Sequence, residues 1–300
     1  MIINLPAMVR AHRKNTGRRD LRVRKAPGPK ASHQAELFYK TELLRLVRAM
    51  VDAKNRLLIP TLRRTREQYE TRKSKDTALD AAFTQEIQNS LDEMAKSFGG
   101  LDRVAQRLAD LAVNRIADSS SEAFKASVQR AVGIDISPII SSGGVGDAVE
   151  LAVKNNVALI KSIPNQYFDR IENAVWQNTG QGNRFEDLAE TLKKIDDVTD
   201  SRAKLIARDQ TGKINSAITQ ARSKSVGLNK YTWRTSNDER VRDSHAEKEG
   251  QVFSFDDPPS DTGNPGDDVS CRCTAEPYFD LEEEEASVGI SPDDDAEAGS

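Results

Sequence analysis

Tyr231-Thr-Trp233-Arg-Thr-Ser-Asn-Asp238-Glu-Arg-Val-Arg-Asp-Ser-His245, then Gly250, Pro265-Gly266, Cys271-Arg-Cys273 and Pro277, is the text on which the reading of this chain turns. Both cysteines of the protein and one of its three histidines fall within it. The periodicity here is that of strands. Tyr231, Trp233 and Thr235 alternate with Thr232 and Arg234, as side chains do on an extended segment. Ser236-x-x-Glu239 has the form of a capping box and predicts a short helix over 237–249, which Gly250 ends. Val252, Phe253 and Phe255 predict a second short strand, and a Pro/Asp/Gly-rich loop fills 256–268. A third strand is predicted over 269–274, with Cys271 and Cys273 on one face and Arg272 on the other.

This pattern has a chemical consequence. On the predicted helix, Val241 and His245 lie one turn apart, so the imidazole shares the inward face. Packing the third strand against that helix would bring one nitrogen and two sulfurs together. Those are three of the four ligands of a tetrahedral zinc site, with Asp243, Asp261, another loop carboxylate or water as the fourth. The alternative is two small buried thiols and a hydrogen-bonded histidine. The spacing leaves both open. A structural zinc would suit a module whose apolar content is little more than Trp233, Tyr231, Val241, Val252, Phe253, Phe255 and Val269. Asp238 and Arg242 read as an i,i+4 ion pair on the same helix. The chain has no HExxH, no GxSxG and no glycine-rich phosphate loop, so no catalytic residues are predicted.

Upstream the pattern is helical. Leu37, Leu44, Val47 and Val51 recur at helical spacing, and Pro60 should kink or split that segment. Leu79, Phe83, Ile87, Leu91 and Met94 mark a second helix, and Leu101, Val104, Leu108, Leu111 and Ile116 a third that closes at Gly133. The serine- and glycine-rich text near residue 140 predicts a loop and a boundary. Helices follow over 147–162, 164–177 and 183–195, then a long one over 200–226 stopped by Gly227. Gly212 in its middle predicts a kink or a close approach.

Charged residues make up 30% of the chain and mean hydropathy is −0.62, which suits long, solvent-washed helices better than one thick core. The charge is polarised. Residues 1–30 carry nine Lys/Arg against Asp20 alone, while 276–300 carry ten acidic residues and no basic one. Both ends are therefore expected to be disordered. Arg10, Arg13, Lys14, Arg18, Arg19, Arg22, Arg24 and Lys25 are candidates for contact with DNA phosphates or an acidic partner. No apolar run is long enough to span a membrane. Two cysteines one residue apart suit a reducing, cytosolic setting. The expected fold is mainly α. A basic arm (1–33), a helical arm (34–140), a helical spine (141–228), a small α+β module with short strands (229–279) and an acidic tail (280–300) follow in order.

The C-terminal text resembles the Mu F-like domain of bacteriophage head morphogenesis, or minor head, proteins. The resemblance rests on Arg202-Ala203, Ile206-Ala207-Arg208, Trp233, Asp238-Glu-Arg240-Val-Arg242, His245, Gly250, Phe253, Pro265-Gly266, Cys271-Arg272-Cys273 and Pro277. It covers about 155–278, strongest over 200–278. Where the family pattern has Thr-Glu after Ala-Arg, this chain has Asp209-Gln210. The resemblance implies a non-enzymatic virion component that associates with the portal. Its expected task is capsid assembly, DNA packaging or ejection, and the host cytoplasm is where it would assemble. A non-specific DNA-binding virion protein is the alternative, and a metal-dependent hydrolase or nuclease a more distant one.

Overall fold

Three long helices carry the molecule: α5 (Leu101–Val132), α6 (Gly146–Gln181) and α7 (Phe185–Ser225). The computed structural model describes residues 4–16, 26–72, 77–140, 144–181 and 184–279. At about 1.5 Å per residue, the 41 residues of α7 run roughly 60 Å. The sequence predicts a break between 195 and 200 that does not occur. No glycine or proline stands there, and Thr199 Oγ1 turns back to donate to the Ile195 carbonyl at 2.8 Å. The expected break at Pro164 is likewise absent. Pro164 lies inside α6, where buried Ile160, Ile163, Tyr167, Ile171 and Val175 form one apolar row across it. Gly133 and Gly227 follow α5 and α7 at φ 74° and 78°, as expected of C-terminal glycines.

In front of these lie α1 (Leu5–Thr16), α2 (His33–Ala53), α3 (Ile59–Arg72) and α4 (Thr77–Lys96). Ser32 Oγ caps α2 by accepting from the Ala35 N–H. A π turn, Lys54–Leu58, joins α2 to α3. Pro60 supplies no N–H, so the α ladder is already interrupted there and the wider turn takes up the mismatch.

One core runs through α2 to α7, so the region near residue 140 links two helices of a single body rather than two domains. The buried face of α2 is Tyr39, Leu43, Leu46, Val47 and Met50, while the expected Leu37 is 43% exposed. On α5 the buried face is largely alanine: Ala105, Ala109, Ala112 and Ala117 beside Val113 and Ile116. Val104 and Leu111, expected inside, are 50% and 52% exposed. Small side chains let α6 and α7 approach α5 closely, and that packing outweighs the larger residues on the other face. Several polar groups inside this core are paired. Tyr39 Oη donates to Asn156 Oδ1 at 2.7 Å, and Asn156 Nδ2 to Gln210 Oε1 at 3.2 Å. Buried Lys54 pairs with Asp196, which also accepts from Tyr167 Oη at 2.8 Å. Burial first, then the Asp196 carboxylate, raises the Tyr167 phenol well above its usual range.

The basic segment departs from expectation. Its first part is the helix α1, whose Leu5 and Val9 are buried with Ala26, Phe124, Val128, Val226 and Phe279 in a second cluster. Residues 26–30 then run as a strap between α5, α7 and the C-terminal sheet. The Pro27 carbonyl accepts from Ser127 Oγ at 2.8 Å and that of Pro29 from Asn215 Nδ2 at 3.1 Å. Of the candidate contact residues, Arg10, Arg13 and Lys14 lie on α1. Arg18, Arg19, Arg22, Arg24 and Lys25 lie outside the described residues, as does the acidic tail over 280–300. Among the described residues, no helix is long and apolar enough to cross a membrane.

The small module follows α7 as β1 (Lys230–Arg234), α8 (Asp243–Ala246), β2 (Val252–Ser254) and β3 (Thr274–Pro277). Its antiparallel sheet has the order β2-β1-β3, with Tyr231 opposite Phe253 and Trp233 opposite Ala275. The loop before β3 lies along α7. Pro265 O accepts from Ser216 Oγ, and Gly266, at φ 99°, sits where a Cβ would come within 2.7 Å of Ser216 Cβ.

Two contrasts, each between a buried and an exposed position, test the stability of this arrangement. Lys54→Ala leaves Asp196 without its cation in a mostly dry site and should cost about 3 kcal/mol in urea unfolding. Arg45→Ala, at a 65% exposed pair with Glu42, should cost less than about 0.5 kcal/mol. Gly266→Ala meets both an unfavourable φ and a clash, and should cost about 2 kcal/mol or more. Gly180→Ala, with nothing within 4 Å of its added methyl, should be neutral or stabilising by up to about 1 kcal/mol in the same assay.

Candidate His/Cys centre

The alternation of β1 does what it predicts. Tyr231 and Trp233 are fully buried, and Lys230, Thr232 and Arg234 take the other face. Tyr231 packs on Phe255 with ring centroids 4.7 Å apart, while Trp233 meets the His245 ring edge-on at 5.5 Å. Trp233 is thus one wall of the histidine's site.

Between β1 and His245 the predicted helix over 237–249 is replaced by turns and the single-turn helix α8. Asn237 adopts φ 54°, a conformation asparagine tolerates better than most residues. Asp238 Oδ1 accepts from the Arg240 N–H at 3.1 Å. The expected Asp238–Arg242 pair therefore does not form. Asp238 instead takes both Nη groups of Arg272 at 2.6 Å, a bidentate clamp from the turn to the Cys-Arg-Cys segment. The hydrogen bonds from Arg272 hold the Asp238 carboxyl below its usual pKa. Arg242 donates from Nη2 to the Val269 carbonyl at 2.8 Å.

The cysteines precede β3 instead of lying on it. The predicted third strand starts only at Thr274, because Ser270 turns the chain through φ 56° and leaves Val269 exposed. Val252 is exposed as well, so neither valine adds to the apolar content expected of the module. The shift leaves the two sulfurs side by side. His245, 2% exposed, presents Nδ1 to Cys273 Sγ at 3.4 Å and to Cys271 Sγ at 3.5 Å. Its Nε2 lies 2.9 Å from Asp268 Oδ2. Both thiols are free. Hydrogen bonding from Cys273 pulls the Cys271 thiol down to about 6, and the same bond pushes that of Cys273 up.

Helix α7 fixes this arrangement from behind. Asp209 Oδ1 accepts from the Ser270 N–H at 2.9 Å, and Arg208 Nη2 donates to Ser270 Oγ at 3.0 Å. The close approach predicted at Gly212 is to Cys271, whose carbonyl would lie 3.3 Å from an added methyl. The Asp209-Gln210 departure thus has work of its own: Asp209 holds the cysteine loop and Gln210 the core asparagine. On the sheet side, Arg234 pairs with Glu276 and Glu249, and Glu249 Oε2 accepts from the Thr235 N–H at 2.6 Å. Glu276 Oε1 also accepts from the Ala26 N–H at 3.1 Å, tying the N-terminal strap to β3.

Among the described residues, one group has ligand atoms placed to hold a metal: His245, Cys271 and Cys273, all within 4.8 Å of one another. The fourth ligands expected from the sequence are not in that group. Asp261 is engaged by buried Lys248, whose Nζ lies 2.7 Å away, and Asp243 sits in the first turn of α8. The carboxylate that does reach the site is Asp268, on the far nitrogen of the ring. It lies in a run of loop acids (Asp256, Asp257, Asp261, Asp267, Asp268), and nothing in their spacing distinguishes it.

Residues 169–276 match the family described as "Phage Mu protein F like protein". The match starts within α6 and ends in β3, so it holds the whole His/Cys centre and its α7 backing. A relative described as an uncharacterized protein, from Haemophilus influenzae (strain ATCC 51907 / DSM 11121 / KW20 / Rd), is 35% identical over 289 residues. That alignment takes in 95% of this chain and 60% of the relative, so the chain spans about 60% of the length of the curated protein it matches. No solved structure matches. The segment over 169–276, which holds the centre and its α7 backing, is thus similar to the Phage Mu protein F like family.

Proposed function

We propose that this protein is a phage minor head protein, a structural component of the virion that associates with the portal and other capsid components. Its task is head assembly, DNA packaging or ejection, carried out by assembly and not by turnover, in the host cytoplasm and then in the particle. The observation that carries this reading is the family match over 169–276. The architecture agrees with it. A body of packed helices presents a small module whose loops are fastened to one another by ion pairs and to α7 by hydrogen bonds.

The test is particle composition. In cells producing particles from the parent genome, the chain should copurify with heads at lower copy than the major shell protein. Its deletion should cut the yield of filled heads at least tenfold. Absence from purified particles, or an unchanged yield of filled heads on deletion, would remove the reading. Co-expression with the portal protein of the same genome should give a complex that cosediments.

The charge concentrated in residues 1–30 favours a second activity beside the first, non-specific DNA binding by that segment. Eight cations releasing counterions predict a log–log salt slope of about −7 on duplex DNA. A flat salt response, or no change on deleting residues 1–25, would dismiss it.

A further inference from the structure

The donor atoms at His245 are ordered in a way that assigns them roles. Asp268 Oδ2, 2.9 Å from Nε2, is an acceptor for the Nε2–H, which leaves the imidazole lone pair on Nδ1. That lone pair faces two sulfurs at nearly equal distances, 3.4 and 3.5 Å. In a tetrahedral zinc centre with Zn–S of about 2.3 Å and Zn–N of about 2.0 Å, neighbouring ligand atoms stand roughly 3.5–3.8 Å apart. The three atoms here therefore need only small movements to take up an ion. A cysteine nucleophile paired with histidine would instead need one sulfur at the imidazole. Here Cys271 Sγ accepts from the Cys273 N–H at 3.4 Å, and both sulfurs stand equally close to the ring.

The open side of the group is informative too. A cavity of about 250 Å³ adjoins it, lined by Arg208, Arg240, Arg242 and Arg272 beside the three donor residues. Two of those guanidinium groups are engaged by Asp238 and Asp268, and Arg208 by the neutral Ser270 hydroxyl. Two thiolates would balance the charge of a zinc ion, so the cavity keeps an excess of positive charge.

We propose that the protein binds one zinc ion through His245 Nδ1, Cys271 Sγ and Cys273 Sγ, with Asp268 as positioning residue. The fourth coordination place faces the arginine-lined cavity and takes water or a small oxyanion. This site is independent of the role proposed for the whole protein, and its failure would leave that role standing.

Zinc titration of the chelator-treated full-length protein, against a competing metal indicator, should show one site per chain. Cobalt in place of zinc should give sulfur-to-metal charge-transfer absorption and the intense visible bands of tetrahedral coordination. Cys271→Ser and Cys273→Ser should each lower the charge-transfer intensity by about half. Asp268→Asn should weaken zinc binding about 10- to 100-fold in a metal-free protein that still folds, as read by circular dichroism. Millimolar phosphate should shift the visible bands of the cobalt form; octahedral-type weak bands, or bands indifferent to phosphate, would overturn the three-ligand open site. Zinc should also protect both cysteines from iodoacetamide. Rapid alkylation of a single cysteine at the same rate with and without zinc would replace the metal centre by a nucleophile. Substoichiometric, weak binding in the wild-type titration would overturn the proposal without reliance on any variant.

Discussion

The hydrogen bond from the Ser270 amide to Asp209 on α7 is the constraint on which the C-terminal architecture hangs. Ser270 holds φ 56°, which costs an ordinary L-residue on the order of 1 kcal/mol or more and persists only where the surroundings enforce it. Asp209 and Arg208 supply that enforcement from one turn of α7, and Gly212, one turn on, leaves room for the Cys271 carbonyl. The turn at Ser270 is what sends Cys271 and Cys273 towards His245 before the chain enters β3. Without it the loop would extend β3 backwards, and the sulfurs would follow the pleat of the sheet.

The module could not stand by itself. Its apolar cluster is Tyr231, Trp233, Phe255 and Ala275, with Phe253 and Cys273 partly covered. Burying these four groups gives on the order of 10 kcal/mol. The loop between β2 and β3 must be ordered against about 1–2 kcal/mol of backbone entropy per residue. What makes up the difference is contact with the helical body: Pro265 and Gly266 on Ser216, Ser270 on Asp209, and the strap over 26–30 under β3. A zinc staple is what an isolated module over 229–279 would need; docking on α7 supplies much of the same stabilisation.

How much was legible follows from which signals are local. The alternation of Tyr231 and Trp233, the glycines after α5 and α7 and the close approach at Gly212 come from short-range pattern or from glycine stereochemistry. The convergence of His245 with the two cysteines was expected from a helix packed on a strand, and is reached instead through the single turn α8 and the turn at Ser270. The helix expected over 237–249 did not form, because Asp238 found Arg272 across the module and the capping-box glutamate found no cap to close. Polarity misled at α1, where the nine Lys/Arg of residues 1–30 outweighed Leu5 and Val9, which the fold buries. On α5 alanine spacing, not leucine spacing, marked the inner face. Asp268 and Asp209 were invisible for a different reason. Each acts through a partner more than 20 residues away, and a carboxylate in an acidic loop has no spacing to betray it.

These constraints bear on how the centre would bind an ion. In a small zinc finger the unfolded chain must be ordered by the metal, so binding energy and folding energy are one quantity. Here α7, Trp233 and Asp268 also hold the sulfurs and the ring, so part of the ordering is supplied by the rest of the fold. Binding at a site held in this way stabilises the protein by an amount that grows with free zinc. It also leaves the open coordination place to be set by what enters the arginine-lined cavity. A carboxylate or phosphate brought by a neighbouring subunit or by DNA has the charge that this cavity favours. At the proposed centre, metal occupancy would therefore be tied to what enters that cavity as well as to the folding of the chain that carries it.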